Sequence, residues 1–241
     1  MMDDKTTAAV TAGSKRSEPA SCRVWTAKSV IAARVAQELR PGMLVNLGIG
    51  LPSLVANFLP PNSDVFFQAE NGVVGLGARP PEGMEDPYLT DAGGGFVSAV
   101  PGAASIDSAM SFGLIRGGHL DLTVLGGLQV DERGYLANWT IPGQMVPGMG
   151  GAMDLVAGAK EVIVAMIHAA KGESKIVPTC TLPLTAERRV TLVVTELAVI
   201  KPTDDGLVLL ERGPGVSVEQ VLASTAARLI VPDDVPEMML D

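Results

Sequence analysis

The feature that most constrains this chain is a series of short, apolar, β-branched runs, each ending at a glycine or a polar residue. They occupy residues 43–46, 65–67, 122–125, 161–167 and 192–194. Runs this short, with no polar alternation, are what strands buried on both faces of a mostly parallel sheet require. A chain of 241 residues suffices for one medium domain with a full core. Aromatics supply only 4% of the residues against 47% hydrophobic, so Val, Leu, Ile, Ala and Met must fill that core. Helical signals lie between the runs. Ile31, Val35 and Leu39 form one stripe, stopped by Pro41-Gly42, and Pro52 suits the first turn of a helix. Ser217 and Gln220 make a capping box, from which Val218, Val221, Leu222, Thr225 and Leu229 continue one apolar face. Residues 76–95, rich in Pro, Gly and acids, read as a surface loop. The expected organisation is one α/β domain, a single open and mostly parallel sheet flanked by helices, over residues 25–233. A polar, flexible extension (1–24) precedes it and a short tail (234–241) follows.

Composition removes several function classes. The net charge of −9 shows no basic face for nucleic acid. Cys22 and Cys180 lie far apart without Cys or His companions, so neither zinc nor a disulfide is expected, and a reducing cytoplasm fits. No apolar run approaches the ~18–20 residues that span a bilayer, and the N-terminus lacks the apolar region of a secretory signal. Motifs for a serine-hydrolase elbow, a zinc protease helix and a phosphate loop are all missing. The two histidines, His119 and His168, have no nucleophile near them in sequence, and both read as structural.

What remains is a set of glycine turns after apolar strands, where ligands bind in open α/β sheets. Gly48-Ile49-Gly50 resembles the start of a dinucleotide fingerprint with Ser53 at the third position. A tight turn without function explains it equally. A Rossmann-type NAD-binding oxidoreductase would use this turn, with Glu70 as the acid about twenty residues on. Glu70 ends an apolar run and precedes Asn71-Gly72. It suits first a strand-end acid bonded to its own turn, and it also suits a covalent nucleophile facing an activated acyl group. In Gly148-Met149-Gly150-Gly151, followed by Ala152, the backbone can approach a ligand closely and start a helix whose N–H groups face an anion. A plain loop-to-helix junction has the same sequence.

The stretch Phe67-Gln68-Ala69-Glu70-Asn71-Gly72-Val73-Val74-Gly75 resembles the Glu-Asn-Gly active-site signature of family I coenzyme A transferases, β-subunit type. Residues 46–52, 115–121, 136–139, 148–154, 180–185 and 194–199 are similar to further stretches of that family in the family's order. The resemblance covers roughly residues 28–230. It implies transfer of coenzyme A between an acyl-CoA and a short-chain carboxylic or 3-oxo acid. Glu70 would be the nucleophile and form a glutamyl-CoA thioester, and Gly151 would donate to the oxyanion. Gly48, Gly50, Asn71 and Gly72 would line the acyl or pantetheine site. It also implies an α-subunit partner, CoA thioesters as substrates rather than a permanently bound cofactor, and no metal.

Two positions depart from the family pattern. Ala69 stands where Ser is usual, which leaves the nucleophile intact. Asp91-Ala92-Gly93-Gly94-Gly95 stands where succinyl-CoA-using relatives often carry Asn-Ala-Gly-Lys. Without a lysine at position 94, selection for a dicarboxylate weakens, and the resemblance leans toward the acetate, acetoacetate and butyrate branch. The succinyl-CoA:3-oxoacid and 3-oxoadipate branches stay open. The chain could also be a binding subunit that keeps the fold without chemistry.

Overall fold

The structure, a computed structural model, describes residues 25–60, 62–143 and 150–240. The expectations for the N-terminal extension, for Cys22 and for Gly148-Met149 lie outside those residues. The first half contains α1 (Ala27–Ala36), β1 (Leu44–Leu47), a 3-10 helix (Pro52–Phe58), β2 (Phe66–Ala69), β3 (Val73–Leu76), β4 (Ala99–Ser105), α2 (Ser108–Arg116) and β5 (Leu122–Leu125). Next come β6 (Gln129–Asp131), β7 (Leu136–Ala137), α3 (Ala152–Gly158), β8 (Glu161–Ala165), β9 (Ala169–Ala170), β10 (Glu173–Ser174) and β11 (Ile176–Val177). The chain continues through β12 (Leu192–Val194), β13 (Ala198–Thr203), β14 (Gly206–Arg212), α4 (Val218–Ser224) and β15 (Leu229–Ile230).

Ten strands form one sheet in the order β15-β14-β13-β12-β8-β5-β1-β2-β3-β4. Its interior, β2-β1-β5-β8-β12, is wholly parallel. These are the short apolar runs of the sequence, buried because helices cover both faces. Antiparallel hairpins extend the sheet at both sides, β3-β4 at one and β13-β14 at the other, so the sheet is mixed. The hairpin strands were harder to recognise. Residues 99–105 are almost entirely exposed and contain Pro101 and Gly102, which weakens any strand pattern but is tolerated at an edge.

Alternation along the interior strands builds two cores. Val45, Leu122, Val124, Ile163, Ala165, Leu192 and Val194 pack beneath α1 with Ile31 and Val35. Val162, Val164 and Val193 point the other way, onto Ile115 of α2 and Leu155 and Val156 of α3. Thr26 caps α1 reciprocally with Ser29, and Arg34 on its buried face is held by Glu38 and Glu211 at 2.6 and 2.7 Å. Helix α4 begins at the expected Ser217–Gln220 capping box but stops at Ser224, short of the expected reach to Leu229. Leu229 instead starts β15 alongside β14, and Leu222 remains exposed. Pairing with a neighbouring strand replaced the last helical turn. The segment 236–238 lies along Arg212, whose N–H donates to Pro236 O and whose carbonyl accepts from Met238 N (both 2.9 Å), and it buries Met238.

Among the described residues no helix is long and apolar enough to cross a membrane, and no group of His, Cys, Asp or Glu is arranged to hold a metal.

Candidate active site

Parallel register places Asn46 of β1 directly beside Gln68 of β2 on one flank and Thr123 of β5 on the other. Val45 faces the α1 core, so alternation turns Asn46 to the opposite face, where α2 lies. The result is a row of amide and hydroxyl groups across three adjacent strands, all 0–1% exposed. Buried amides are tolerated only when bonded, and these are. Asn46 Nδ2 donates to Gln68 Oε1 (3.1 Å) and to the Gln68 carbonyl (3.0 Å). Gln68 Nε2 donates to Ser111 Oγ of α2 (2.8 Å) and to the Ala69 carbonyl (2.9 Å). Thr123 Oγ1 donates to Asn46 Oδ1 at 3.4 Å, which orients the Asn46 amide so that its N–H groups face β2.

Glu70 follows Gln68 by two residues and so points to the same face of the sheet. Asn46 Nδ2 reaches its Oε2 at 3.3 Å. From the other side comes Gly151, the residue just before α3: a Cβ there would stand 3.4 Å from Glu70 Cγ and 3.4 Å from Phe112 Cζ. The two residues singled out as nucleophile and oxyanion donor, far apart in sequence, thus pack against each other.

Both line a cleft of about 880 Å³. Gly48 and Gly50 of the turn after β1 line it too, as do Asn138 and Trp139, and Leu76, Gly77 and residues 91–93 and 95 of the long loop. The loop read as mere surface is therefore a wall of the site. Asn138 and Trp139 are fixed by residues 184–185: Thr185 Oγ1 donates to Asn138 Oδ1 (2.7 Å) and Trp139 Nε1 donates to Leu184 O (3.2 Å).

Asn71 and Gly72 are placed differently. Neither belongs to the cleft lining. Gly72 is buried at φ +115°, and a Cβ on it would lie 2.1 Å from the Ile106 carbonyl, so only glycine closes the β2–β3 turn. Asn71 Nδ2 donates to Thr90 O (2.8 Å), tying the long loop to the residue after Glu70. Gly94 also stands off the lining, exposed at φ +77°, where a side chain would be strained.

Sequence reasoning did not single out Asn46, Gln68, Ser111 or Trp139 for a role. The first two carried a signal: each is an amide near the end of an otherwise apolar strand, where burial without a purpose is costly. The histidines fall where expected. His119 is exposed beside α2, and His168 is fully buried between the hydroxyls of Thr195 and Thr225, both at 2.9 Å. Burial pushes the His168 imidazole down to about 4, so it is neutral near pH 7. Cys180 is partly buried and its thiol is pushed up to about 11 by burial, the reverse of an activated nucleophile.

The model of the family described as "Coenzyme A transferase" matches residues 28–224. The chain is 56% identical over 209 residues to the beta subunit of the acetate CoA-transferase of Escherichia coli K12, covering 86% of this chain and 95% of the relative. It is 50% identical over 205 residues to one of the subunits of the succinyl-CoA:3-ketoacid coenzyme A transferase of Helicobacter pylori 26695, covering 85% and 99%. Among solved structures, the acyl-CoA transferase YdiF apoenzyme of Escherichia coli O157:H7 shares the fold. Its TM-score is 0.72 at 23% identity, over 89% of this chain and 43% of that longer one. A match over most of the chain, in the order of strands and turns that builds the cleft, rules out the dinucleotide-binding alternative: this chain belongs to the coenzyme A transferase family.

Proposed function

We propose that this chain is the β subunit of a two-subunit transferase in which Glu70 carries coenzyme A as a covalent thioester. The observation that carries the reading is the placement of Glu70. Its carboxylate faces an open cleft, is held from below by an Asn46 N–H, and packs against Gly151.

The Glu70 carboxylate attacks the donor thioester carbonyl, giving a mixed anhydride and CoA thiolate. The thiolate attacks the glutamyl carbonyl and releases the first acid, leaving glutamyl-CoA. A second carboxylate attacks this thioester, again expelling the thiolate, which then takes the new acyl group and frees Glu70. Each tetrahedral intermediate develops an oxyanion. We assign the donor to a backbone N–H at Gly151, which the packing of this glycine beside Glu70 Cγ supports, and one such donor is typically worth ~3–4 kcal/mol. Water must be kept out, because it would hydrolyse both the anhydride and the thioester.

The cleft's charge supports a partner. Among its described lining residues the charged side chains are Glu70 and Asp91, and none is a cation. Coenzyme A carries phosphates, so the positive charge that receives them must come from elsewhere, and an α subunit over the open side would provide both it and a second oxyanion donor. For the acid exchanged, the cation-free lining favours short monocarboxylates and acetoacetate.

The test is a trap. The αβ complex is incubated with acetoacetyl-CoA without acceptor and then treated with borohydride, which reduces a glutamyl thioester to an alcohol. Irreversible inactivation, with the mass change on the peptide containing Glu70, is expected; the isolated chain should show little of either. An unmodified Glu70 peptide from a competent complex would overturn the assignment.

A further inference from the structure

The long loop brings a second carboxylate into the cleft. Asp91 lines the same cavity as Glu70. Its Oδ1 accepts from Gly93 N and Gly95 N, both at 2.8 Å, its own N–H donates to Gly95 O (2.9 Å), and a Thr90–Phe96 bridge closes the loop at its base. The loop is anchored beside the nucleophile, since Asn71, next to Glu70, holds Thr90, next to Asp91. It also packs on the turn after β1: a Cβ on Gly93 would approach Ile49 Cγ1 at 3.1 Å. No ion pair among the described residues involves Asp91; its partners are backbone amides.

Resting on the transferase reading above, we infer that Asp91 is a specificity-determining residue that turns dicarboxylic acids away. An acid whose reacting carboxyl meets Glu70 must lay the rest of its chain in this cleft. The remainder of a monocarboxylate is apolar or carries a neutral keto group, and it meets glycines, Leu76 and Trp139. A second carboxylate meets a fixed anion and no cation, while losing part of its hydration. Like charges a few ångströms apart in a partly solvated cleft discriminate by about ten-fold. The selection against dicarboxylates therefore comes from a charge that is present, in addition to the lysine that is missing at position 94.

The geometry offers a clean separation of charge from shape. Asp91→Asn removes the charge while keeping an Oδ1 to accept the two loop N–H groups; Asp91→Glu keeps the charge while disturbing the loop. In the αβ complex, with acetoacetyl-CoA as donor, kcat/KM is measured for succinate, monomethyl succinate and butyrate. The succinate-to-butyrate ratio should rise about ten-fold in Asp91→Asn and stay near wild type in Asp91→Glu. Wild type itself should favour monomethyl succinate over succinate by a similar factor. Ratios unchanged in Asp91→Asn, or wild type indifferent to the methyl ester, would overturn the role of Asp91 while Glu70 still forms its trapped thioester. Failure of that trap in wild type would remove the transferase mechanism and this inference with it.

Discussion

Two buried polar networks sit at the C-terminal ends of the parallel strands, and they differ in where they end. At β8 and β12, His168 hydrogen-bonds Thr195 and Thr225, whose hydroxyl oxygens lie 3.2 and 2.7 Å from backbone carbonyls. That network is closed: its imidazole is buried and neutral, and every bond returns to the protein. At β1 and β2, Asn46 and Gln68 are equally buried, but their network ends on Glu70, a carboxylate at the floor of a cleft. Burial and bonding alone therefore do not mark an active site. What distinguishes the candidate site is a network with one member left facing ligand space, its geometry set by buried, hydrogen-bonded partners.

The comparison breaks most visibly at Glu70. Glu70→Ala should lower transfer by at least ~10⁴-fold in the αβ complex, an effect of the size that removing a covalent nucleophile produces. Its melting temperature should change little, because Glu70 is only partly buried and its Asn46 partner keeps the Gln68 oxygens as acceptors. Glu70→Asp retracts the carboxylate by about 1 Å and should cost on the order of 100-fold. Lowered stability with near-normal turnover would instead make Glu70 a structural acid, like the members of the closed network.

The closed network predicts a pH effect. His168 has an ordinary value of 6.5 and a folded value of about 4. Unfolding thus lets the imidazole take up a proton throughout that window. Its contribution is fully present above pH 6.5 and is lost as pH falls toward 4, on the order of 3 kcal/mol in total. Urea unfolding of wild type between pH 7 and 4 should show this slope, and His168→Gln should flatten it. The same slope in the variant would assign the loss to other groups.

The smallest expected effect lies in the open network. Gln68→Leu removes the acceptor and donor that link Asn46 to Ser111 and loosens the Asn46 amide, which keeps only the residue-68 carbonyl and Thr123 to hold it beside Glu70. We expect kcat to fall about ten-fold with KM nearly unchanged, because a misaimed carboxylate weakens attack more than binding. Gln68→Glu, which keeps the acceptor, should recover part of this. A change in KM alone would show that the network shapes the cleft without orienting Glu70.

Several elements were legible without coordinates because their causes are local. The five apolar runs became the five parallel strands, and Ser217 with Gln220 capped α4, whereas α1 stopped at Ala36, short of Leu39 and of the expected stop at Pro41-Gly42. Glu70 stood out because a strand ends there and Asn71-Gly72 turns. The end of α4 was not legible. Its apolar spacing continues to Leu229, and only the availability of β14 as a strand partner decided otherwise. Residues 99–105 were missed for the same reason: an edge strand gets its order from its neighbour, and its own residues need not be apolar.

By itself, the sequence determined the fold class, the parallel core and the family, and it singled out Glu70 as the candidate nucleophile. All follow from periodicity, from turn chemistry or from motifs contiguous along the chain. Tertiary structure alone decided which groups surround that carboxylate. Gln68 and Thr123 meet Asn46 because parallel register sets them on either side of it, 22 or more residues away in the chain. Gly151 reaches Glu70 because α3 packs beside α2 over the same face, and Asp91 enters the cleft because Asn71 ties its loop there. Such contacts carry no local signature, since the free energy that fixes them is spread over the packing of the whole sheet and appears only when the strands pair.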